Sequence, residues 1–147
     1  MKYESFLFEK THASDRFGFE PVFLPSTLFD FQESLVSWAV RQGRAAIFAD
    51  CGLGKTLMEL VWGENVVRHE RGRVLLLTPL AVSAQVIEEA EKFGIRATRS
   101  SDGTAYDGIT VTNGKELLNI PCVLKTEGLN LPFPLALLSA KPSGEGQ

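Results

Sequence analysis

The sequence predicts an α/β fold in which helices flank a parallel β-sheet. Short runs of apolar and β-branched residues occur at 45–49, 73–78 and 109–112, and the first two show no alternation with polar residues. Runs of this kind are typical of strands that are buried on both faces of a parallel sheet. Amphipathic helical patterns lie between them, which is the order of elements in an α/β domain. A chain of 147 residues is long enough for one such domain with a hydrophobic core.

The first part of the chain leads into a predicted helix. Residues 1–27 are rich in aromatic side chains, and we interpret them as an extended lead-in or a short hairpin. Asp30 followed by Glu33 is a helix-start signal, and apolar residues then recur at helical spacing until Gly43 ends the helix. The apolar run at 45–49 is the predicted first strand.

The following elements alternate up to Asn113. The sequence predicts helices at 57–68 and 83–93 and strands at 73–78, 95–98 and 109–112. Beyond Asn113 the pattern decays, because four prolines interrupt the chain. We therefore predict a partial α/β domain at 28–113 and an irregular tail at 114–147 that is divergent or disordered.

The composition narrows the class of protein further. Hydrophobic residues make up 44% of the chain and charged residues 22%, which is typical of a globular protein. The net charge of −3 gives no overall basic field that would indicate nucleic-acid binding. Two cysteines form no disulfide framework, and the first residues lack the organisation of a signal peptide. With no apolar stretch of membrane-spanning length, we expect a cytoplasmic protein and no membrane partner.

The sequence Ala-Asp-Cys-Gly-Leu-Gly-Lys-Thr, which starts at Ala49, matches the Walker A phosphate-binding motif between a predicted strand and a predicted helix. Ala49 stands where the first glycine of the motif is usual. Gly52 and Gly54 let backbone N–H groups curl around phosphate oxygens, Lys55 supplies a cation, and Thr56 supplies a hydroxyl to Mg²⁺. The candidate ATP-binding residues are Ala49, Asp50, Cys51, Gly52, Leu53, Gly54, Lys55 and Thr56, with Lys55 and Thr56 as candidate catalytic residues. The alternative is an ordinary glycine turn between a strand and a helix.

Four segments in the correct order carry a family resemblance: the helix start with Gln32, the loop at 50–56, the strand end Thr78-Pro79 and the strand end Thr112-Asn113. Together they resemble the N-terminal part of the first RecA-like domain of superfamily 2 helicases and translocases, in particular Swi/Snf-type ATPases and their bacteriophage relatives. The resemblance implies a P-loop NTPase fold with ATP and Mg²⁺ as cofactors. It also implies that Gln32 reads the adenine edge. Thr78, Pro79, Thr112 and Asn113 would contact nucleic acid, which for the intact relatives is double-stranded DNA.

Each of these segments has an alternative structural explanation. Gln32 is also an ordinary polar residue for the first turn of a helix, and Thr78 fits the chemistry of a strand-to-helix turn. Thr112 and Asn113 are common residues at the end of a strand. The sequence alone leaves these alternatives open.

One element of the family is missing from the sequence. The relatives carry an apolar strand ending in Asp-Glu, which organises Mg²⁺ and the attacking water, and no apolar run in this chain ends in such a pair. A second RecA-like domain, which supplies an arginine finger, is also absent. We therefore expect Mg-ATP binding with weak or no hydrolysis. We also expect a truncated or frameshifted product, or one part of a split helicase that pairs with a second RecA-like domain or subunit.

Two other functions remain open from the sequence. One is a non-catalytic module that binds a nucleotide or DNA by association alone. The other is a small P-loop kinase, although such kinases need an arginine-bearing lid after the core and residues 114–147 contain no arginine.

Overall fold

The computed structural model of the chain describes residues 17–113. The helices in this part are α1 (Asp30–Gln42), α2 (Lys55–Glu70) and α3 (Ser83–Lys92), and the strands are β1 (Arg73–Leu77), β2 (Ala97–Arg99) and β3 (Gly108–Thr112). Our expectations for residues 1–16 and for the tail at 114–147 lie outside the described residues.

The strands form a parallel sheet in the order β1-β3-β2. β1 pairs with β3 from Arg73 opposite Gly108 to Leu77 opposite Thr112, and β2 pairs with the other edge of β3. The fold is therefore mixed α/β with a small parallel sheet flanked by helices, which confirms the predicted class at this level. Because the strands are parallel, the ends of β1 and β3 lie at the same edge of the sheet.

Helix α2 is the centre of the hydrophobic core. Its residues Met58, Leu60 and Val61 are almost completely buried, and it packs against α1, β1 and β3. Gly63 allows the helix to lie close to the sheet, since a Cβ there would come within 3.0 Å of Ile109 Cδ1. This packing fixes the position of the amino end of α2, where the loop at 49–56 ends. None of the helices in the described part of the chain is long and apolar enough to cross a membrane.

The predicted first strand at 45–49 is not formed. This segment has no regular secondary structure, and the strands of the described sheet pair with one another and not with it. Ile47 and Ala49 still pack against the core, whereas Phe48 is 96% exposed. The apolar run alone was not sufficient evidence for a strand, because a strand also needs the edge of a neighbouring strand for its backbone hydrogen bonds.

The described part of the lead-in, residues 17–27, has no regular secondary structure and contains no hairpin. The backbone N–H of Gly18 donates to the carbonyl of Arg41 at the end of α1, at 3.2 Å. The fully buried side chain of Asn65 on α2 accepts hydrogen bonds from the N–H groups of Val22 and Phe23 and donates to the Phe23 carbonyl, at 2.7–2.8 Å. These hydrogen bonds attach the lead-in to the helices that carry the candidate site.

Candidate functional site

The candidate site is the loop at 49–56, which joins the segment at 45–49 to α2. Gly52 and Gly54 have φ values of 82° and 71°, in the left-handed region that favours glycine. A Cβ on Gly52 would meet no atom within 4 Å, whereas a Cβ on Gly54 would lie 2.3 Å from Gln32 Nε2. Gly52 is therefore needed for its backbone conformation, and Gly54 for its conformation and for the close approach of Gln32.

Lys55 is the first residue of α2, and its ammonium group folds back onto the loop. Its Nζ donates hydrogen bonds to the carbonyl oxygens of Ala49, at 2.8 Å, and Asp50, at 3.1 Å. An ammonium group has three donors, so one N–H is not engaged by these carbonyls. The loop thus contains a positive charge with a donor to offer to an anion.

The amino end of α2 is open. Gly54 occupies the N-cap position without a side-chain cap, and no acidic residue lies in the first turn. The first intrahelical hydrogen bond runs from the Met58 N–H to the Gly54 carbonyl, at 3.2 Å. The N–H groups before Met58 therefore have no partner within the helix, and together with the helix dipole they favour a bound anion.

Gln32 lies against this loop. Only 4% of the residue is exposed. Its Oε1 accepts a hydrogen bond from the Phe29 N–H, and its Nε2 donates to the carbonyl of Leu53, each at 3.0 Å. In this structure the amide connects the start of α1 to the loop, which leaves one Nε2 hydrogen for any contact with a base.

The remaining residues of the motif differ in exposure. Asp50, Cys51 and Leu53 are exposed, and Thr56 is half-buried in the first turn of α2. Within residues 17–113, no group of three or more His, Cys, Asp or Glu side chains is placed to hold a metal ion. A magnesium ion here would be held by the Thr56 hydroxyl together with phosphate oxygens and water.

The predicted nucleic-acid contacts meet at one edge of the sheet. The Thr78 N–H donates to the Thr112 carbonyl at 2.9 Å, so the ends of β1 and β3 are adjacent. The side chains of Thr78, Thr112 and Asn113 are buried, and only Pro79 of the four predicted residues is exposed. The Thr78 hydroxyl is buried without a hydrogen-bond partner. Burial leaves three of the four residues little surface to offer a nucleic-acid strand.

Glu59 is a feature of the site that we did not predict. It lies one helical turn after Lys55, and burial raises its pKa to about 7, while the positive charge of Lys55 acts in the opposite direction. A carboxyl group that is partly protonated at neutral pH is thus placed on the helix that carries the loop. The i,i+4 spacing of Lys55 and Glu59 was the signal in the sequence that could have indicated it.

Comparison with protein-family models, with curated proteins and with solved structures found no match to this chain.

Proposed function

We propose that this chain binds Mg-ATP through the loop at 49–56. The observation that carries the proposal is the open amino end of α2, which lies next to the Lys55 ammonium group and to two glycines in left-handed conformations. Backbone donors, a fixed cation and a helix dipole aimed at one place are the physical requirements of a phosphate site. The sequence of the loop, Asp-Cys-Gly-Leu-Gly-Lys-Thr, supports a triphosphate as the ligand.

We further propose that the chain is the ATP-binding portion of a superfamily 2 helicase-like ATPase of the cytoplasm. The order of the Walker A loop, the Thr78-Pro79 turn and Thr112-Asn113 supports this class, as does the position of Gln32 against the loop. Hydrolysis is weak or absent in this proposal. The sequence contains no apolar run ending in Asp-Glu, and phosphoryl transfer depends on such groups for positioning and charge stabilisation.

The substitution Lys55→Ala tests nucleotide binding. Loss of a charge-assisted hydrogen bond of about 1.5–3 kcal/mol lowers the affinity for Mg-ATP by about 10- to 100-fold. Titration with a fluorescent ATP analogue measures this change. Lys92→Ala is the matched control, because it removes an exposed lysine from the last turn of α3 and leaves the loop intact.

The unfolding midpoint of both variants must be measured, since Lys55 also bonds the carbonyls of Ala49 and Asp50. If folded Lys55→Ala binds the analogue as tightly as the unmodified chain does, the loop is an ordinary glycine turn and the proposal is wrong.

A non-catalytic binding module is the second candidate function. The burial of Thr78, Thr112 and Asn113 favours it, because these side chains are not presented to a nucleic-acid strand. This candidate predicts ATP binding without turnover, whether or not DNA is present. A phosphate-release assay with and without duplex DNA tests this candidate, since DNA-stimulated release of phosphate would exclude the non-catalytic module.

A further inference from the structure

A second concave surface lies at the far end of α2 from the candidate loop. It is a cavity of about 580 Å³ at the amino ends of β1 and β3, where Arg73 and Gly108 begin the two strands. Arg71, which follows the last residue of α2, forms part of its wall. Since α2 has 16 residues, the cavity is about 24 Å from the loop along the helix axis. It is therefore a separate surface and not an extension of the candidate ATP site.

Three arginines and two acidic residues line this cavity. The arginines are Arg71, Arg73 and Arg96, and the acidic residues are Glu64 and Asp107. Both carboxylates already have arginine partners within the chain: Arg68 bonds Glu64 at 2.8 Å, and Arg73 bonds Asp107 at 3.1 Å.

Among residues 17–113, Arg71 and Arg96 have no such partner. Within the described residues neither guanidinium group takes part in an ion pair. The Arg73–Asp107 pair is also weakly held, because the two side chains are 62% and 83% exposed and water competes for them. Among the described residues, the cavity thus has two guanidinium groups without an ion-pair partner and a third whose ion pair is exposed to water.

The backbone supports the position of these arginines. Gly108 has a φ of 88°, and a Cβ there would lie 3.3 Å from the Arg96 carbonyl oxygen and 3.7 Å from Arg96 Cδ. The aliphatic stem of Arg96 therefore runs alongside Gly108, and a larger residue at position 108 would crowd it. Arg71 has a φ of 52° and is the only residue other than glycine with a positive φ in the described part of the chain. It turns the chain from α2 into β1 at the wall of the cavity.

From these observations we infer that the cavity is a binding site for a small phosphorylated molecule, independent of the candidate ATP site. The planar guanidinium group matches a phosphate group with paired N–H donors, and two or three of them around one concave surface favour a mono- or diphosphate. The volume lies within the range of small-molecule sites. A concave site of this size favours a small ligand over the extended backbone of a nucleic acid.

The test uses inorganic pyrophosphate as the probe and Lys55→Ala as the background, so that the loop at 49–56 contributes little. Isothermal titration compares this background with the same chain carrying Arg71→Gln and Arg96→Gln, which keep the aliphatic stems and remove the charges. The matched control carries Lys92→Ala and Arg99→Ala, which remove two exposed positive charges outside the cavity. We expect the Gln pair to weaken pyrophosphate binding at least tenfold and the control pair to change it less than twofold.

Two results would overturn the inference: no measurable pyrophosphate binding in the Lys55→Ala background, or equal binding in the Gln pair and the control pair. If the Gln pair lowers only the unfolding midpoint, the arginines serve the carboxyl ends of the helices and not a ligand. If it weakens binding of duplex DNA but not of pyrophosphate, the ligand is a nucleic acid and the inference as stated is wrong. Amide NMR shifts of Gly72, Gly94 and Gly108 on adding pyrophosphate to the unmodified chain give a second measurement that does not depend on any variant.

Discussion

The amino ends of α1 and α2 lie next to each other and are built in opposite ways. At α1 the side chain of Gln32 accepts a hydrogen bond from the Phe29 N–H, and the acidic residues Asp30 and Glu33 lie in the first turn. Neither N-cap residue, Phe29 or Gly54, makes a side-chain cap hydrogen bond, but the first turn of α2 also has no acidic residue. The partial positive charge at a helix amino end is thus compensated by acidic side chains in the first turn of α1, whereas the first turn of α2 has no acidic side chain to compensate it.

This difference shows that the chain gives up local stability at α2. Acidic residues in the first turn, which α1 has and α2 lacks, are worth about 0.3–1 kcal/mol each. Gln32 is shared by both ends, since its Oε1 serves α1 while its Nε2 holds the Leu53 carbonyl of the loop. Through Gln32, helix α1 therefore supports the conformation of the loop at the amino end of α2. An amino end that stays uncapped in this way is suited to an anion supplied from outside the chain.

The largest expected effect comes from filling the space between the two helix ends. Gly54→Ala places a Cβ 2.3 Å from Gln32 Nε2 and also imposes the left-handed conformation on alanine. We expect a loss of about 2–4 kcal/mol in the free energy of unfolding, from the backbone cost and from displaced Gln32 hydrogen bonds. Urea denaturation measures it. Gly52→Ala is the matched control and costs only the backbone term of about 1–2 kcal/mol, because its Cβ meets open space. Equal losses in the two variants would show that Gln32 does not constrain the loop.

Substitutions of Gln32 distinguish its contact with the start of α1 from its contact with the loop. Gln32→Glu keeps an acceptor for the Phe29 N–H but cannot donate to the Leu53 carbonyl, whereas Gln32→Ala loses both contacts. We expect Gln32→Ala to lower the free energy of unfolding by about 2–3 kcal/mol, since it also leaves buried polar groups unpaired. We expect Gln32→Glu to retain protection of the Phe29 amide against hydrogen exchange while the loop amides exchange faster. If both variants expose the Phe29 amide equally, the cap of α1 does not depend on this side chain.

The effect of pH follows from Glu59 on α2. Its folded-state pKa of about 7 is raised above the ordinary value of 4.5 by burial, so folding favours the protonated form. Its contribution to stability is therefore fully present below about pH 4.5 and is lost as the pH rises through 7. Glu59→Gln removes this titration. We expect the variant to be more stable than the unmodified chain by up to about 3 kcal/mol at pH 8 and nearly equal to it at pH 4.5. Urea denaturation at both pH values gives the difference, and a gap that does not depend on pH would contradict the assignment to Glu59.

The sequence predicted the helices and the parallel sheet of the described residues well, because their signals are local. Helix α1 begins at Asp30 and ends before Gly43 as the start and stop residues indicated, and β1 and β3 lie within one residue of their predicted ranges. The strand at 45–49 was predicted wrongly, because pairing depends on an edge elsewhere in the chain and not on the apolar run alone.

In the candidate site, too, features that depend on local sequence were predicted, and features that depend on packing between distant elements were not. The positions of Gly52, Gly54 and Lys55 follow from the motif, since each residue acts through its own backbone or charge. The contact of Gln32 with the Leu53 carbonyl and the raised pKa of Glu59 arise from packing between elements. The sequence placed Gln32 near the loop only through the family resemblance and gave no indication of how deeply either side chain is buried.

The smallest expected effect tests the first turn of α1 directly. Asp30→Asn and Glu33→Gln remove the acidic residues near its amino end and keep the size of each side chain. We expect each substitution to lower the free energy of unfolding by about 0.3–1 kcal/mol at low ionic strength and by less in high salt, because the helix dipole is screened. Thermal unfolding at two salt concentrations measures the change.

The reciprocal change adds an acidic residue to the open amino end of α2. Leu57→Glu would do so but also removes a buried apolar side chain, so Thr56→Glu is the better choice. If α2 is left open for an anion, Thr56→Glu stabilises the unliganded chain slightly and weakens nucleotide binding, whereas a gain in stability with unchanged binding would show that the open end is not the site.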